Sequence, residues 1–374
     1  LLSVRDLKVH FDVRVGGVFA GRYRPLKAVD GVSFDLKAGE TLGIVGESGC
    51  GKSTLGRAIL RLIEPTAGRA VWLGEDLAGL DAGRMRAKRQ DMQIIFQDPL
   101  ASLNPRMTVG EIIAEPLRTF EPGIGRDAMK ARVKDMMAKV GLLPQMINRY
   151  PHEFSGGQCQ RIGIARAMVL SPRLIVCDEP VSALDVSIQA QIVNLLMRLQ
   201  QEFGLSLLFI SHDLSVVRHI SHRIMVLYLG RVMEIADRQS IYARPRHPYT
   251  QALISAVPIP DPRRRRDKHL LRGDPPSPFA PPPGCRFHTR CPLATPLCAE
   301  RKPALTAAED GRFVACHHWR QAAEAAPAPA VEPPRSAAAQ RRFDLYRERS
   351  EQQERLRSAT AAGPQSHRGE PQNA

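Results

Sequence analysis

The pattern of apolar residues divides the first 245 residues into buried strands and amphipathic helices. Continuous apolar runs of strand length lie at 41–45, 92–96, 174–177 and 206–210. Such runs suit strands that are covered on both faces of a mostly parallel sheet. Between the last two, apolar residues recur at helical spacing over 188–199, and Gly204 follows where a C-terminal cap belongs. The alternation predicts an α/β domain with helices on both faces of the sheet.

Further changes of pattern subdivide the chain. Residues 110–170 have a mostly helical pattern that prolines interrupt, which predicts a helical subdomain within the α/β domain 1–245. Over 246–320 prolines crowd together and a large core cannot form, so we expect a small Cys-rich second domain. Residues 321–374 are rich in Ala, Pro, Arg, Gln and Glu, which is typical of a disordered tail.

The net charge of +15 and the pI near 9.9 allow two interpretations, binding to nucleic acid or contact with anionic lipid. The densest basic run, 263–266, has no interleaved aromatic residue, so it does not resemble a surface that binds single strands. No apolar stretch approaches the roughly 20 residues that cross a bilayer, and no signal peptide opens the sequence. We therefore expect a peripheral membrane protein.

A glycine-rich loop predicts a site for the phosphates of a nucleotide. Residues 46–53 read Gly-Glu-Ser-Gly-Cys-Gly-Lys-Ser and join a predicted strand to a predicted helix, 54–63, which is the context that a P-loop requires. Its backbone N–H groups and the helix N-terminus attract anions. Lys52 is expected to reach the β- and γ-phosphates, and the Ser53 hydroxyl to ligate Mg²⁺. The candidate binding residues are Gly46, Ser48, Gly49, Cys50, Gly51, Lys52, Ser53 and Thr54.

Two carboxylates follow the apolar run 174–177. Ligand sites in open α/β sheets lie at the carboxyl ends of strands, where Asp178 and Glu179 stand. Alone, this pattern fits a solvated strand end equally well, but a P-loop upstream favours a catalytic role. Asp178 would hold Mg²⁺ through water, and Glu179 would polarise the water that attacks the γ-phosphate.

A second candidate anion site precedes the helical run 160–170. It consists of Ser155, Gly156, Gly157 and Gln158. A serine and two glycines at a helix N-terminus can bind an anion, although an ordinary capped helix has the same pattern. Because one domain does not need two cradles for one γ-phosphate, we infer that this one serves a nucleotide held by a partner.

In this order the motifs resemble those of the ABC-transporter ATPase family over residues 1–245. The resemblance identifies 154–158 as the family signature and implies that Lys52, Glu179 and His212 are catalytic, with His212 contacting the γ-phosphate. It also implies that Gln97 contacts Mg²⁺ and senses the membrane partner. Asp185 would belong to the loop that links the two sites of a dimer.

The same resemblance places an aromatic residue on the adenine ring. Tyr23, 23 residues before Gly46, is the candidate, with Phe19 and Phe11 as alternatives. It further implies a head-to-tail pair of ATPase subunits, each ATP lying between one P-loop and the other signature. We expect a sibling ATPase as partner, with two transmembrane permease subunits and, indirectly, an extracytoplasmic peptide-binding protein.

Four of the seven cysteines cluster near the end of the predicted second domain. They are Cys285, Cys291, Cys298 and Cys316. Their spacing is too wide for a zinc ribbon, but four thiolates suit an iron–sulfur cluster or zinc, and nearby histidines allow a mixed zinc site. Four reduced, unligated thiols are the remaining alternative.

The C-terminal stretch indicates which subgroup of the ABC-transporter ATPases the chain resembles. Residues 247–250, 273–278 and 284–288 resemble the extension of oligopeptide and dipeptide importer ATPases, and 96–105 resembles their second, F-type subunit. This subgroup implies peptide import at the inner (cytoplasmic) membrane and a [4Fe-4S] cluster on the four cysteines.

Three alternatives stay open at this point. A soluble ABC ATPase acting on nucleic acid fits the charge, but the chain has one cassette and no coiled-coil heptad run. A partner subunit that hydrolyses ATP poorly is opposed by Glu179, His212 and the intact signature. The cargo could also be nickel or glutathione, because specificity resides in other subunits.

Overall fold

The computed structural model describes residues 1–15, 22–257, 273–308 and 310–324, together with a few residues near the C-terminus. These few are Arg341, Arg342, Asp344, Leu345 and Arg349, all helical. The chain divides into two compact units, Leu1–Ala328 and Pro329–Ala374. The predicted domain boundary at 245 falls inside the first unit. Phe19, the basic run 263–266 and most of the predicted tail lie outside the described residues.

The strands of the first unit form two sheets. They are β1 (Leu2–Val15), β2 (Arg22–Leu36), β3 (Thr41–Val45), β4 (Ala67–Trp72), β5 (Glu75–Asp76), β6 (Met92–Ile95), β7 (Leu174–Asp178), β8 (Ser206–Ile210), β9 (Arg223–Tyr228), β10 (Arg231–Asp237), β11 (Thr306–Ala307) and β12 (Phe313–Val314). The order β2-β1-β4-β5 makes an antiparallel sheet, and β11-β12-β10-β9-β3-β8-β7-β6 makes a larger mixed sheet.

The helices lie mostly between strands of the larger sheet. They are α1 (Lys52–Ile59), α2 (Ala82–Arg89), α3 (Pro99–Ser102), α4 (Val109–Phe120), α5 (Arg126–Lys139), α6 (Gly156–Met168), α7 (Val186–Phe203), α8 (Leu214–Ile220), α9 (Arg238–Ala243), α10 (Pro248–Ser255), α11 (Pro296–Glu300) and α12 (Trp319–Glu324). In the part of the chain that the structure describes, no helix is long and apolar enough to cross a membrane.

The four predicted strands form the parallel centre of the larger sheet. β6, β7, β8 and β3 are neighbours in parallel register, and β9 adds a fifth parallel strand. Every residue of β3, β7 and β8 is buried, as continuous apolar runs require. Because parallel neighbours end at one edge of the sheet, the loops after these strands converge there.

The predicted helical subdomain and helix cap are confirmed. Between β6 and β7 the chain forms helices and turns, and α4 begins with a capping box in which Thr108 and Glu111 exchange hydrogen bonds. α7 ends at Gly204, whose φ of 63° is left-handed.

The segment after residue 245 adds to the larger sheet. Strand β12 pairs with β10, joining Val314 to Glu234 and Phe313 to Ile235, and β11 pairs with β12. Phe287 is buried among the rings of Tyr228 and Tyr249. This segment therefore packs on the carboxyl-terminal strands of the cassette.

Candidate functional site

The loop between β3 and α1 has a backbone that only glycine accommodates at two positions. A Cβ on Gly46 would lie 2.1 Å from the Leu227 carbonyl oxygen, and one on Gly51, where φ is 102°, would lie 2.0 Å from that of Ala28. Both obstacles are backbone atoms that cannot rotate away. The tight turn leaves the first N–H groups of α1 at its open end, as an anion site needs.

Lys52 is held at the start of α1 with its ammonium inside the loop. It is 4% exposed, and Nζ donates to the carbonyl oxygens of Gly46 at 2.9 Å and Glu47 at 3.1 Å. Its Nζ also lies 3.9 Å from Oε1 of Glu179. A buried cation on two carbonyl oxygens is placed to exchange them for phosphate oxygens.

Ser53 and Asp178 meet where Mg²⁺ was predicted. The Ser53 hydroxyl donates to Oδ1 of Asp178 at 2.5 Å, and Arg57 Nη2 donates to Oδ2 at 3.2 Å. Asp178 is 1% exposed at the end of β7. A hydroxyl and a carboxylate are the oxygen donors that Mg²⁺ prefers, so the residues present fit this ion. Sequence reasoning missed Arg57, although it lies one helical turn beyond Ser53.

Glu179 lies at the centre of the predicted catalytic residues. Its Oε2 is 3.1 Å from Nδ1 of His212 and accepts a hydrogen bond from Nε2 of Gln97 at 3.4 Å. The three residues follow the neighbouring strands β7, β8 and β6, which explains their convergence. Glu179 has a φ of 47°, a left-handed conformation that non-glycine residues keep at an energetic cost and that clusters at functional sites.

The residues 155–158 form a capped helix start that is separate from this cluster. The Ser155 hydroxyl accepts from the N–H of Gln158, and the Gln158 side chain accepts from the N–H of Ser155 at 2.9 Å. Among the described residues, no hydrogen bond or ion pair joins this corner to the loop 46–53. The geometry alone is that of an ordinary capping box.

Three further predicted residues, Tyr23, Asp185 and Cys50, have different surroundings. Tyr23 lies on β2 and is 71% exposed, as a ring that stacks on a base would be. Asp185 caps the start of α7 by position, without a side-chain cap bond. Cys50 is buried in the loop, and burial raises the pKa of its thiol to about 11, so it stays protonated.

The four clustered cysteines are close neighbours. Burial, and secondarily the electrostatic influence of the other thiols, raises the pKa of Cys291 to about 11 and that of Cys316 to about 12. The backbone N–H of Cys285 donates to the carbonyl of Cys298 at 2.8 Å. Yet within the described residues no group of three or more His, Cys, Asp or Glu side chains stands in a metal-holding arrangement. The structure therefore does not support the predicted iron–sulfur or zinc site.

Two family models match the chain in the order of its motifs. Residues 29–182 match the model described as ABC transporter, and residues 233–298 match the one described as oligopeptide/dipeptide transporter, C-terminal region. Among solved structures, the dimeric ATP-binding cassette MJ0796 in a post-hydrolysis state with ADP and Pi is similar, with a TM-score of 0.56 and 29% identity. That likeness covers 64% of this chain and 99% of that chain.

Curated relatives match over most of their length. The oligopeptide transport ATP-binding protein OppF of Salmonella typhimurium is 63% identical over 308 residues, which are 82% of this chain and 92% of that protein. OppF of Haemophilus influenzae is 58% identical over 319 residues, 84% of this chain and 96% of that protein. The chain belongs to the ABC transporter ATP-binding proteins, among those of the oligopeptide/dipeptide transporter family, with F-type subunits as its relatives.

Proposed function

We propose that the chain binds and hydrolyses ATP to drive the import of oligopeptides or dipeptides across the cytoplasmic membrane. The observation that carries the proposal is the contact of Glu179 with Lys52, His212 and Gln97 beside the phosphate-binding loop. One carboxylate thus lies within reach of the lysine that would hold the γ-phosphate. The peptide cargo is supported by the relatives named oligopeptide transport ATP-binding proteins.

The side chains have distinct roles in hydrolysis. Lys52 exchanges its two carbonyl partners for oxygens of the β- and γ-phosphates, while Ser53 and Asp178 supply oxygens for Mg²⁺. When bound, the ion neutralises charge on the phosphates. His212 and Gln97 both contact Oε2 of Glu179, and Lys52 Nζ lies 3.9 Å from Oε1. Once Lys52 has moved onto the phosphates, Oε1 accepts a proton from the attacking water.

The second anion site acts on a partner's nucleotide. Ser155, Gly156, Gly157 and Gln158 have no bond to the chain's own phosphate-binding loop, which supports a role across a subunit interface. Asp185 would link the two sites, and Tyr23 would stack on adenine. The partner is a sibling ATPase subunit, and ATP binds the closed pair far better than the open one.

The remaining partners and the location follow from the same assignment. Two transmembrane permease subunits carry the cargo, and an extracytoplasmic peptide-binding protein delivers it. The chain lies at the cytoplasmic side of the inner membrane, where its net charge of +15 favours anionic lipid. Its domains would be 1–245 for the nucleotide, 246–320 as the Cys-rich extension, and 321–374 as the tail.

A metal on the four cysteines is a separate part of the proposal. Its support is that these thiols raise one another's pKa and so lie near one another, while the described residues contain no group arranged to hold a metal. An iron–sulfur cluster is the first candidate and zinc the second. To distinguish the cluster from zinc, protein purified without oxygen is analysed for iron, acid-labile sulfide and zinc. If none of the three is found, the proposal of a metal on these cysteines is wrong. No step of hydrolysis depends on it.

The test of function is transport by the assembled complex. The chain, its sibling, the permeases and the binding protein are reconstituted in liposomes, and ATP-driven uptake of a labelled oligopeptide is measured. We expect uptake that stops when Glu179 is replaced by Gln in this chain. ATP-driven uptake of nickel or of glutathione without peptide uptake would show that the cargo is not a peptide. ATPase activity that requires nucleic acid would show that the chain is not a transport ATPase.

A further inference from the structure

The segment that bears the cysteines reaches into the phosphate-binding loop. Arg290 Nη1 donates to both carboxylate oxygens of Glu47, each at 3.0 Å, and to the Tyr228 hydroxyl at 3.3 Å. The hydroxyl of Tyr249 accepts a hydrogen bond from the Glu47 backbone N–H at 3.0 Å. Glu47, the second residue of the loop, is therefore held at its main chain and at its side chain by residues that follow the cassette's last strands.

Glu47 in turn holds the lysine that would bind phosphate. Its carbonyl oxygen accepts from Lys52 Nζ at 3.1 Å, beside the bond from Lys52 to Gly46. A shift of the Glu47 peptide therefore moves one of the two anchors of the Lys52 ammonium. The contacts form one continuous path from Arg290 through Glu47 to Lys52.

Charge gives the same pair a second role. Glu47 places a carboxylate in the loop that must accept a triphosphate, and like charges close together are unfavourable. The Arg290 side chain is only 7% exposed, so its charge is poorly screened by water and compensates that of Glu47. Removing the arginine would leave a partly buried, uncompensated carboxylate beside the phosphates.

A buried aromatic cluster fixes Arg290 in this position. The rings of Tyr228 and Phe287 meet edge to face with centroids 5.4 Å apart, and Tyr249 lies 5.3 Å from Phe287. The Arg290 guanidinium lies 5.9 Å from the centre of the Tyr228 ring. Phe287 is 1% exposed and three residues before Arg290. Packing therefore restricts the Arg290 side chain to a conformation in which it contacts Glu47.

We propose that Arg290 is a positioning residue of the nucleotide site, which orients Glu47 and Lys52 and neutralises the carboxylate of Glu47 for ATP binding. The proposal rests on the assignment of residues 46–53 as the ATP-binding loop. Under this proposal the C-terminal segment contributes to ATP binding.

The experiment measures the dissociation constant of Mg-ATP by titration calorimetry on the full-length chain. The variants are Arg290→Ala, Arg290→Lys, Glu47→Gln and the double variant Arg290→Ala/Glu47→Gln. The matched control is Arg246→Ala, since Arg246 is also largely buried, pairs with Asp310 and packs on Trp319, away from the loop. The Tm of each variant is recorded beside its affinity.

We expect Arg290→Ala to weaken Mg-ATP binding about three- to tenfold, and Arg290→Lys to weaken it less. Glu47→Gln should restore most of the affinity in the Arg290→Ala background, because the uncompensated charge is gone. Arg246→Ala should lower Tm without this loss of affinity. A merely structural role for Arg290 would give a double variant no better than the single one.

Two outcomes would overturn the proposal: wild-type affinity in Arg290→Ala, or a double variant that binds Mg-ATP no more tightly than Arg290→Ala alone. Lys52→Ala separates this failure from a failure of the ATP site itself. If the wild-type chain binds Mg-ATP and Lys52→Ala does not, the loop assignment stands whatever Arg290 does. If the wild-type chain binds no Mg-ATP, the assignment of the loop fails first.

Discussion

At the scale of single residues, the site depends on side chains that meet from separate strand ends. Glu179 follows β7, His212 follows β8 and Gln97 follows β6, and the last two contact the same carboxylate oxygen of Glu179. Lys52 approaches the other oxygen from α1. The parallel register of the strands brings these loops together, so the side chains meet although they are far apart in the sequence.

The sequence predicted the residues of fixed motifs and missed their long-range partners. Lys52, Ser53 and Asp178 were identifiable because spacing and flanking strands define them. The pair of Glu47 and Arg290 spans 243 residues of sequence, and no periodicity or motif links positions so far apart. Only the folding of the C-terminal segment onto the cassette reveals it.

Asp30 shows how a buried charge ties the C-terminal segment to the cassette. Burial alone would raise the pKa of Asp30, but the contacts with Arg231, Arg286 and His10 outweigh it and lower the pKa from 3.8 to about 2. A carboxyl group with a lowered pKa stabilises the fold above the unfolded value of 3.8. That contribution is lost as the pH falls toward 2.

We predict that Asp30→Asn lowers the free energy of unfolding by about 2 kcal/mol at pH 7. Thermal unfolding is compared with wild type from pH 7 down to pH 2.5. The difference in Tm should shrink below pH of about 4, since the wild-type carboxylate is then being neutralised. A difference that stays constant across this range would contradict the ion-pair explanation.

At the scale of elements, the phosphate-binding loop is shaped by its neighbours. The backbone of Ala28 and Leu227 leaves no room for side chains at Gly51 and Gly46. The loop therefore owes its shape to β2 and β9 as well as to its own sequence. The motif predicts these two glycines, but the neighbouring backbone that makes them necessary is visible only in the structure.

We predict that Gly51→Ala distorts this loop, because a Cβ would meet the Ala28 carbonyl and φ is 102°. The strain of about 1–3 kcal/mol should appear as weaker Mg-ATP binding, measured by titration. Gly39→Ala is the control, since Gly39 also has a positive φ, of 69°, but has open space around a Cβ. Equal affinity in both variants would contradict the steric account.

The two sheets differ in how well the sequence predicted them. β3, β6, β7 and β8 were predictable because strands buried on both faces read as continuous apolar runs. The antiparallel sheet of β1 and β2 was not predicted. Register shifts between Val4 and Leu7 and between Val9 and His10 interrupt the alternation along β1, so its period of two is broken.

At the scale of the whole molecule, the proposed function implies that one chain contributes half of each ATP site. In that proposal the loop 46–53 and Glu179 would act on the chain's own nucleotide, and residues 155–158 would act on that of the partner. Under that proposal binding and hydrolysis would be separable, because binding would need one subunit and turnover would need two. This separation distinguishes the account from a self-contained ATPase.

We predict that Gly156→Asp leaves Mg-ATP binding by the isolated chain unchanged, because residue 156 has no contact with the chain's own loop. In the assembled complex, repulsion between the new carboxylate and the partner's γ-phosphate should abolish ATP-dependent closure. Closure is measured as cross-linking between the two ATPase subunits. If the isolated variant lost Mg-ATP binding, residues 155–158 would act on the chain's own nucleotide, which would contradict their assignment to the partner's nucleotide.

The most direct test of the central claim is hydrolysis by Glu179→Gln in the assembled complex. The account predicts that kcat for ATP falls about 10²–10⁴-fold. It also predicts that Mg-ATP binding is retained and that the closed pair accumulates with ATP bound. Hydrolysis at the wild-type rate would contradict it, since the proton of the attacking water would then be taken up elsewhere.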